Sequence, residues 1–258
     1  MSLASQLLPA VPWSNPLRTN LERVRERIAA GCRAAGRSPS EVQLLAVTKS
    51  VDAAHAAELV RLGQLDLGEN RVAELERKSG ALAAVDPRVR WHLIGHLQRN
   101  KARRAVQHAG VIHSVDSLAL IETLARLASE LGRTLDVFLE VRAIASPERS
   151  GFEQAELPAA VELAARAPRL RLRGLMALAE LDPAARAGDL ASQARARRTF
   201  AGVRELSERL PSEAFVDGRP LLSMGMSSDL EAAVSEGAHW VRVGTALFEH
   251  QKPEDSHA

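Results

Sequence analysis

The stretch Leu44–Lys49, with the sequence LLAVTK, is almost wholly apolar and ends on a lysine. Residues 42–47 are aliphatic with almost no polar break, which predicts a strand buried on both faces. Residues 52–59 follow it with the spacing of apolar side chains that is typical of a helix. A strand followed by a helix, with an amine at the strand's carboxyl end, is the arrangement in which α/β barrels hold their chemistry.

Lysine is rare in this chain, so its position carries information. Of 34 basic residues only four are lysines: Lys49, Lys78, Lys101 and Lys252. Arginine fills the other basic positions, but a guanidinium cannot lose its proton and attack a carbonyl as an amine can. Lys49 is therefore the candidate nucleophile. The alternative is a lysine whose stem covers apolar surface while its amine reaches water.

Composition limits the classes of protein that this chain can be. Its 258 residues are 46% hydrophobic, and the net charge of +2 gives no indication of a nucleic-acid partner. The single cysteine, Cys32, excludes an intrachain disulfide, and its helical position favours the core. Neither a signal peptide nor an apolar run of membrane-spanning length is evident. We expect a cytoplasmic protein without a membrane partner.

Eight strand candidates alternate with helices along the chain. This repeat predicts a single (β/α)₈ TIM barrel with an extra N-terminal helix, as residues 15–250, between a loose tail at 1–14 and a C-terminal tail at 251–258. The strands are predicted at residues 42–48, 65–67, 90–94, 111–114, 135–141, 170–176, 221–224 and 239–243.

An open, doubly wound sheet is the competing architecture for such a repeat. That fold usually has a glycine-rich turn after its first strand, with the pattern G-x-G-x-x-G. Residues 49–52 contain no glycine, so the barrel is favoured.

Two consecutive loops have the composition of a phosphate site. After the seventh strand, Ser228 and Glu231 have capping-box spacing, which predicts a helix beginning there. After the eighth strand, Gly244 allows close backbone approach to an anion and Thr245 adds a hydroxyl. A phosphate site and a reactive lysine at one barrel mouth suggest pyridoxal 5′-phosphate, or the sugar phosphate of an aldolase.

The residue pattern alone does not fix the roles of Arg242 and of the pair His92 and His96, and each has an alternative. Strand alternation places Arg242 opposite its valine neighbours, where it would contact an anion or a pyridine nitrogen, or else point outward. His92 and His96 have H-x-x-x-H spacing, but they lie on a strand and its exit and lack the accompanying glutamate. No metal site is predicted.

Seven blocks of sequence resemble, in order, the pyridoxal phosphate homeostasis proteins (the YggS/PROSC family), whose fold is similar to the barrel domain of alanine racemase. The resemblance covers about residues 20–249. The blocks are AVTK at 46–49, LGENR at 67–71, WHLIGHLQRNK at 91–101, HSVD at 113–116, RGLM at 173–176, SMGMS at 223–227 and VRVGTALF at 241–248.

The resemblance implies that Lys49 holds pyridoxal 5′-phosphate as an internal aldimine, a Schiff base. It also implies cofactor contacts from six other residues: Ser227, Gly244 and Thr245 at the phosphate, Arg242 at the pyridine nitrogen, and Asn70 and His92 along the pocket. The chain departs from the family pattern at Arg149, where lysine is usual, and at Glu249, where glycine usually follows Phe248.

The resemblance further implies a role in vitamin B6 homeostasis and amino-acid balance without robust catalytic turnover. The partners would be the cofactor and apo forms of enzymes that depend on it, and a monomer is expected. The alternative is an enzyme with weak racemase or transaminase activity. Racemisation needs an acid–base group on each face of the α-carbon, and the chain contains no tyrosine to serve as the second. A Schiff-base aldolase without the cofactor ranks third.

Overall fold

The strands close into one parallel barrel. The computed structural model describes residues 13–144, 150–180 and 189–249. Strands β1 to β8 pair in chain order, and β8 pairs again with β1, so the sheet has no free edge. The strands are β1 Gln43–Val47, β2 Asp66–Glu69, β3 Arg90–Leu93, β4 Val111–Val115, β5 Leu135–Glu140, β6 Leu170–Met176, β7 Leu221–Ser223 and β8 Trp240–Val243.

Eight α-helices are described, and seven of them alternate with the strands. They are α1 Ser14–Ala34, α2 Ala53–Arg61, α3 Val72–Leu82, α4 Ala102–His108, α5 Leu118–Glu130, α6 Leu157–Arg166, α7 Leu190–Ser207 and α8 Leu230–Ser235. The predicted (β/α)₈ barrel with an additional N-terminal helix is thus confirmed. The tails predicted at 1–14 and 251–258 lie almost wholly outside the described residues.

Helix α1 covers the barrel from outside. Its buried side chains recur at three- and four-residue steps from Leu17 to Cys32, which confirms the predicted core position of the cysteine. Gly31 lets α1 approach α8, because a Cβ there would lie 3.3 Å from the side chain of Val234. The helix also supports the barrel mouth, where Arg27 donates to the carbonyl of Ser227.

Seven of the eight predicted strands begin and end within one residue of the observed strands, and the second strand differs by two residues at its carboxyl end. Residues 68–69 are predicted as a loop, but they extend β2, because Gly68 packs against Leu45 and Glu69 is paired. A short 3-10 helix, Arg99–Lys101, precedes α4.

Two apolar cores lie on the two sides of the strand layer. The larger fills the space between strands and helices. The smaller lies inside the barrel and consists of Leu45, Val111, Phe138, Met176 and Trp240. Because side chains alternate along a strand, Leu45 defines the inward phase of β1 and Trp240 that of β8.

Candidate functional site

Lys49 lies two residues past the end of β1, at the carboxyl ends of the strands. Its side chain is exposed, whereas Val47 and Thr48 before it are buried. Lys49 follows Leu45 and Val47 at steps of two residues, so it continues the inward phase of the strand. The fold therefore presents this amine at the mouth of the barrel.

A second lysine supports the same strand end from the helix side. Lys78 of α3 has no exposed surface, and its Nζ donates to the carbonyl of Thr48 at 2.7 Å. It also pairs with Glu69 Oε1 at 2.6 Å, to which the Thr48 hydroxyl donates at 2.6 Å. Glu69 Oε2 is buried without a hydrogen-bond partner among the described residues. This cluster is closed to ligands and fixes the backbone immediately before Lys49.

The loops after β7 and β8 meet beside β1. The backbone N–H of Ala246 donates to Ser227 Oγ at 3.3 Å. A Cβ on Gly244 would lie 3.1 Å from the carbonyl oxygen of Val47, so a larger residue would crowd the end of β1. Thr245 is exposed next to it. The Ser227 loop therefore contacts the loop of Gly244, and Gly244 lies against the end of β1, two residues before Lys49. Hydroxyls and a glycine backbone are groups that suit a phosphate.

The predicted capping box in the β7 loop is wrong. Helix α8 begins at Leu230 with Asp229 at its N-cap position, and no side chain caps it. Asp229 instead accepts from the backbone N–H of Met226 within the loop. Glu231 forms an ion pair with Arg27 of α1 at 2.7 Å, and this tertiary contact replaces the local one.

Arg242 lies inside the barrel, in phase with Trp240. Its Nη1 donates to the Ser223 carbonyl at 2.6 Å and to Ser223 Oγ at 2.8 Å, and its Nη2 donates to the Ala177 carbonyl at 2.9 Å. Burial lowers the pKa of Arg242 to about 10, although the charge of Asp229 opposes this. The guanidinium is therefore still a cation at neutral pH.

His92 differs from its expected position along the pocket. It has no exposed surface, its Nε2 lies 2.9 Å from Asp66 Oδ1, and its Nδ1 lies 2.9 Å from His113 Nε2. His113 Nδ1 in turn lies 2.9 Å from Ser223 Oγ. Both nitrogens of His92 are engaged, so a direct ligand contact is not supported. The sequence blocks contained His113 and Ser223 but gave no signal that they meet.

Asn70 is half-buried where β2 ends. Its backbone contacts Gly95 so closely that a Cβ on Gly95 would overlap the Asn70 carbonyl oxygen. Gly95 is thus required to bring the β2 and β3 exits together. Of the seven residues predicted to hold a cofactor, Lys49, Asn70, Ser227, Gly244 and Thr245 lie in loops at the barrel mouth.

A histidine and a carboxylate pair at the same end of the barrel. His96 Nδ1 lies 2.8 Å from Asp116 Oδ2, and the His96 side chain is 59% exposed. Glu140, at the end of β5, is buried, and this burial raises its pKa, with the nearby Asp116 adding to the effect. The sequence alone did not indicate this pair.

The structure describes the surroundings of the two positions, Arg149 and Glu249, at which the sequence departs from the family pattern. Arg149 lies outside the described residues, but Ser150 Oγ donates to Glu140 Oε1 at 3.1 Å and Gly151 has a φ of 115°. At the end of the barrel, Asn20 Nδ2 of α1 donates to the carbonyls of Leu247 and Glu249. The turn after Phe248 is therefore held by α1.

The described residues contain neither a cluster of metal ligands nor a membrane-spanning helix. No group of three or more histidine, cysteine, aspartate or glutamate side chains there could hold a metal ion. In the same part of the chain, no helix has both the length and the apolarity that crossing a membrane requires.

The fold and the site together define a class of protein. The sequence model of the family described as "Alanine racemase, N-terminal domain" matches residues 17–252. A solved structure of PipY from Synechococcus elongatus PCC7942, with PLP bound, superposes with a TM-score of 0.73 at 40% identity, over 87% of this chain and 99% of that one.

Two curated relatives make the assignment narrower. The pyridoxal phosphate homeostasis protein of Pseudomonas aeruginosa is 41% identical over 229 residues, which are 89% of this chain and 93% of that protein. The protein of the same name from Escherichia coli K12 is 36% identical over 91% of this chain and 96% of its own length. The chain therefore belongs to the pyridoxal phosphate homeostasis protein family.

Proposed function

We propose that this chain binds pyridoxal 5′-phosphate at the barrel mouth and takes part in its homeostasis, without rapid turnover of amino acids. The observation that carries the proposal is the position of Lys49, an exposed amine beside the converging loops of Ser227 and Gly244. The relative PipY, solved with PLP bound, supports the same ligand.

The residues present fit the parts of this cofactor. Hydroxyls of Ser227 and Thr245 and the backbone at Gly244 suit its phosphate. The amine of Lys49 would condense with the aldehyde, forming a C=N bond and releasing one water. When bound, the cofactor supplies an electron sink for carbanion chemistry.

Arg242 would weaken that electron sink. Three of its five guanidinium N–H groups are used by Ser223 and Ala177. Among the described residues, none accepts from the other two, so an N–H remains to donate to a pyridine nitrogen. A cation there disfavours protonation of the ring, and this agrees with a binding protein in preference to an efficient enzyme. Delivery of the cofactor to apo-enzymes is part of the proposal.

The test is to identify the lysine that carries the cofactor. Purified protein is incubated with pyridoxal 5′-phosphate, its visible absorption is recorded, and borohydride fixes the linkage before peptide mapping. We expect the label on Lys49 alone, and Lys49→Ala should lose both the band and the label. Label on Lys101 or Lys252, or an unchanged band in Lys49→Ala, would refute the assignment.

Weak racemase activity is the second candidate, and the His96–Asp116 pair favours it. An imidazole held by a carboxylate is a common acid–base group, and it lies at the same end of the barrel as Lys49. Deuterium uptake into alanine by the loaded protein measures this activity, and His96→Gln should abolish it. His108→Gln, which alters a histidine on α4, is the matched control.

A further inference from the structure

A chain of hydrogen bonds runs through the barrel interior from Asp66 to Arg242. Asp66 opens β2, at the amino ends of the strands, and it lines a cavity of about 420 Å³ beneath α1. From there the contacts pass through His92, His113 and Ser223 to the guanidinium, each joining atoms 2.8–2.9 Å apart. These hydrogen bonds therefore link the end of the barrel at which the strands begin to Arg242, a residue at the proposed ligand site.

The two ends of this chain are chemically opposite. An ionised carboxylate can only accept hydrogen bonds, and a guanidinium can only donate them. Hydrogen bonds from His92 and Arg90 outweigh the effect of burial and lower the pKa of Asp66, which keeps the carboxylate charged. At the other end, Arg242 donates to Ser223 Oγ.

The histidines between them are neutral, because burial lowers the pKa of both His92 and His113. A neutral imidazole has one donor and one acceptor nitrogen. Since Asp66 accepts from His92 Nε2, His92 Nδ1 must accept from His113 Nε2. His113 Nδ1 must then accept the proton of Ser223, whose oxygen is left to accept from Arg242. In every hydrogen bond of this series, the donor therefore lies on the Arg242 side and the acceptor on the Asp66 side.

Aromatic packing holds the two imidazole rings in place, so the same ring nitrogens face the same partners. His113 stacks on Phe138 with ring centroids 4.5 Å apart, and His92 packs on Trp240 at 5.1 Å. The guanidinium of Arg90 lies over the Trp240 ring, with its Cζ 5.1 Å from the ring centroid. The tautomers therefore depend on the chemical nature of the two end groups.

We propose that Asp66 is a positioning residue for Arg242: by fixing the tautomers of His92 and His113 it presents an acceptor at Ser223 Oγ and so orients the guanidinium toward the ring of the ligand. The role toward a ligand rests on the proposed function, whereas the orientation of Arg242 can be measured without one.

The first experiment uses ligand-free protein and ¹⁵N NMR. In the wild type, His92 and His113 should both be protonated at Nε2 and not at Nδ1. Asp66→Leu removes the acceptor, and it should disturb both tautomers and shift the Arg242 guanidinium signal. Asp66→Asn retains an acceptor oxygen and should preserve them. A Nδ1–H on either histidine of the wild type would overturn the proposed direction.

Asp136→Leu is the matched control, since Asp136 is a buried carboxylate at the same end of the barrel. It pairs with Arg171 and Arg173 and has no hydrogen bond to either histidine among the described residues. It should leave the Arg242 signal unchanged. An equal shift in Asp136→Leu would mean that the loss of either carboxylate at this end of the barrel produces the effect, and the proposal would fail.

The second experiment tests whether Asp66 and Ser223 act on the ligand through one chain. Asp66→Leu and Ser223→Ala should each weaken binding of pyridoxal 5′-phosphate about three- to tenfold, and the double variant should lose no more than the weaker-binding of the two single variants. Ser223→Ala also serves if Asp66→Leu does not fold. Multiplicative losses in the double variant would show independent roles and refute the inference.

The outcomes separate this inference from the proposed function. Wild type that binds no cofactor, with Arg242 shifted in Asp66→Leu, would refute the function and support the positioning role. If the wild type binds the cofactor but the Arg242 signal does not shift in Asp66→Leu, the positioning role is refuted and the proposed function is not affected.

Discussion

Lys49 and Lys78 approach the end of β1 from opposite sides of the barrel wall, and their surroundings are opposite. Lys49 is exposed at the mouth, whereas Lys78 is fully buried against Glu69 and the Thr48 carbonyl. Both belong to the four lysines of the chain, but the sequence pointed only to Lys49, because it follows an apolar strand. An amine that the fold has paired holds structure together, and one that it leaves open at a strand end is available for chemistry.

The largest expected effect is on stability, at Lys78. Lys78→Met leaves Glu69 as a buried charge without its partner, and this should lower the free energy of unfolding by about 3–5 kcal/mol. The cofactor should still attach to Lys49. Denaturant unfolding and borohydride labelling measure the two properties separately.

Two variants make that comparison sharper. Lys101→Met changes an exposed lysine and should alter stability by less than about 0.5 kcal/mol. Adding Glu69→Gln to Lys78→Met removes the uncompensated charge and should recover part of the loss. If the double variant is less stable than Lys78→Met, the ion pair is not the source of the effect.

At the barrel mouth we expect a smaller effect, and we expect it on ligand affinity and not on the stability of the fold. Ser227→Ala and Thr245→Ala should each weaken binding of pyridoxal 5′-phosphate by about ten- to hundredfold, because each removes a charge-assisted hydrogen bond. Titration with pyridoxal, which lacks the phosphate, should show no such difference between variants and wild type.

Ser228→Ala is the neighbouring control for this prediction. Ser228 is exposed and lies outside the contact between the two loops. Its substitution should leave the affinity unchanged. Loss of affinity in Ser228→Ala, with none in Ser227→Ala, would relocate the phosphate site.

The smallest effect is expected for Lys49 in the absence of ligand. Lys49→Met should change the free energy of unfolding of the ligand-free protein by less than about 0.5 kcal/mol, because no buried partner is lost. With cofactor added, only the wild type should gain stability from covalent attachment. A large loss in the ligand-free variant would remove the contrast with Lys78.

Much of the fold could be predicted because the signals are local. Every predicted strand was observed, since apolar runs and turn residues report on a few consecutive positions. The errors occur where a distant residue overrides the local pattern. Glu69 was placed in a loop but extends β2 toward Lys78, and Glu231 was expected to cap a helix but pairs with Arg27 of α1.

The candidate site was predictable in part, for the same reason. Lys49, Ser227, Gly244 and Thr245 lie at strand ends, so their placement at one mouth follows from the barrel itself. His92 was expected along the pocket, but it is bound to Asp66 and His113 in the interior. Its partners lie 26 and 21 residues away in sequence, and no local pattern encodes that pairing.

The sequence by itself determined the eight-fold repeat, the apolar strands and the lysine that follows the first of them, because periodicity and composition act over short stretches. Only the tertiary structure decided which polar groups pair inside the barrel. Closure of β8 onto β1 sets the register that brings His113 to Ser223, 110 residues further along the chain. Hydrogen bonds form over about 3 Å, so their partners depend on that register and cannot be read from spacing along the chain.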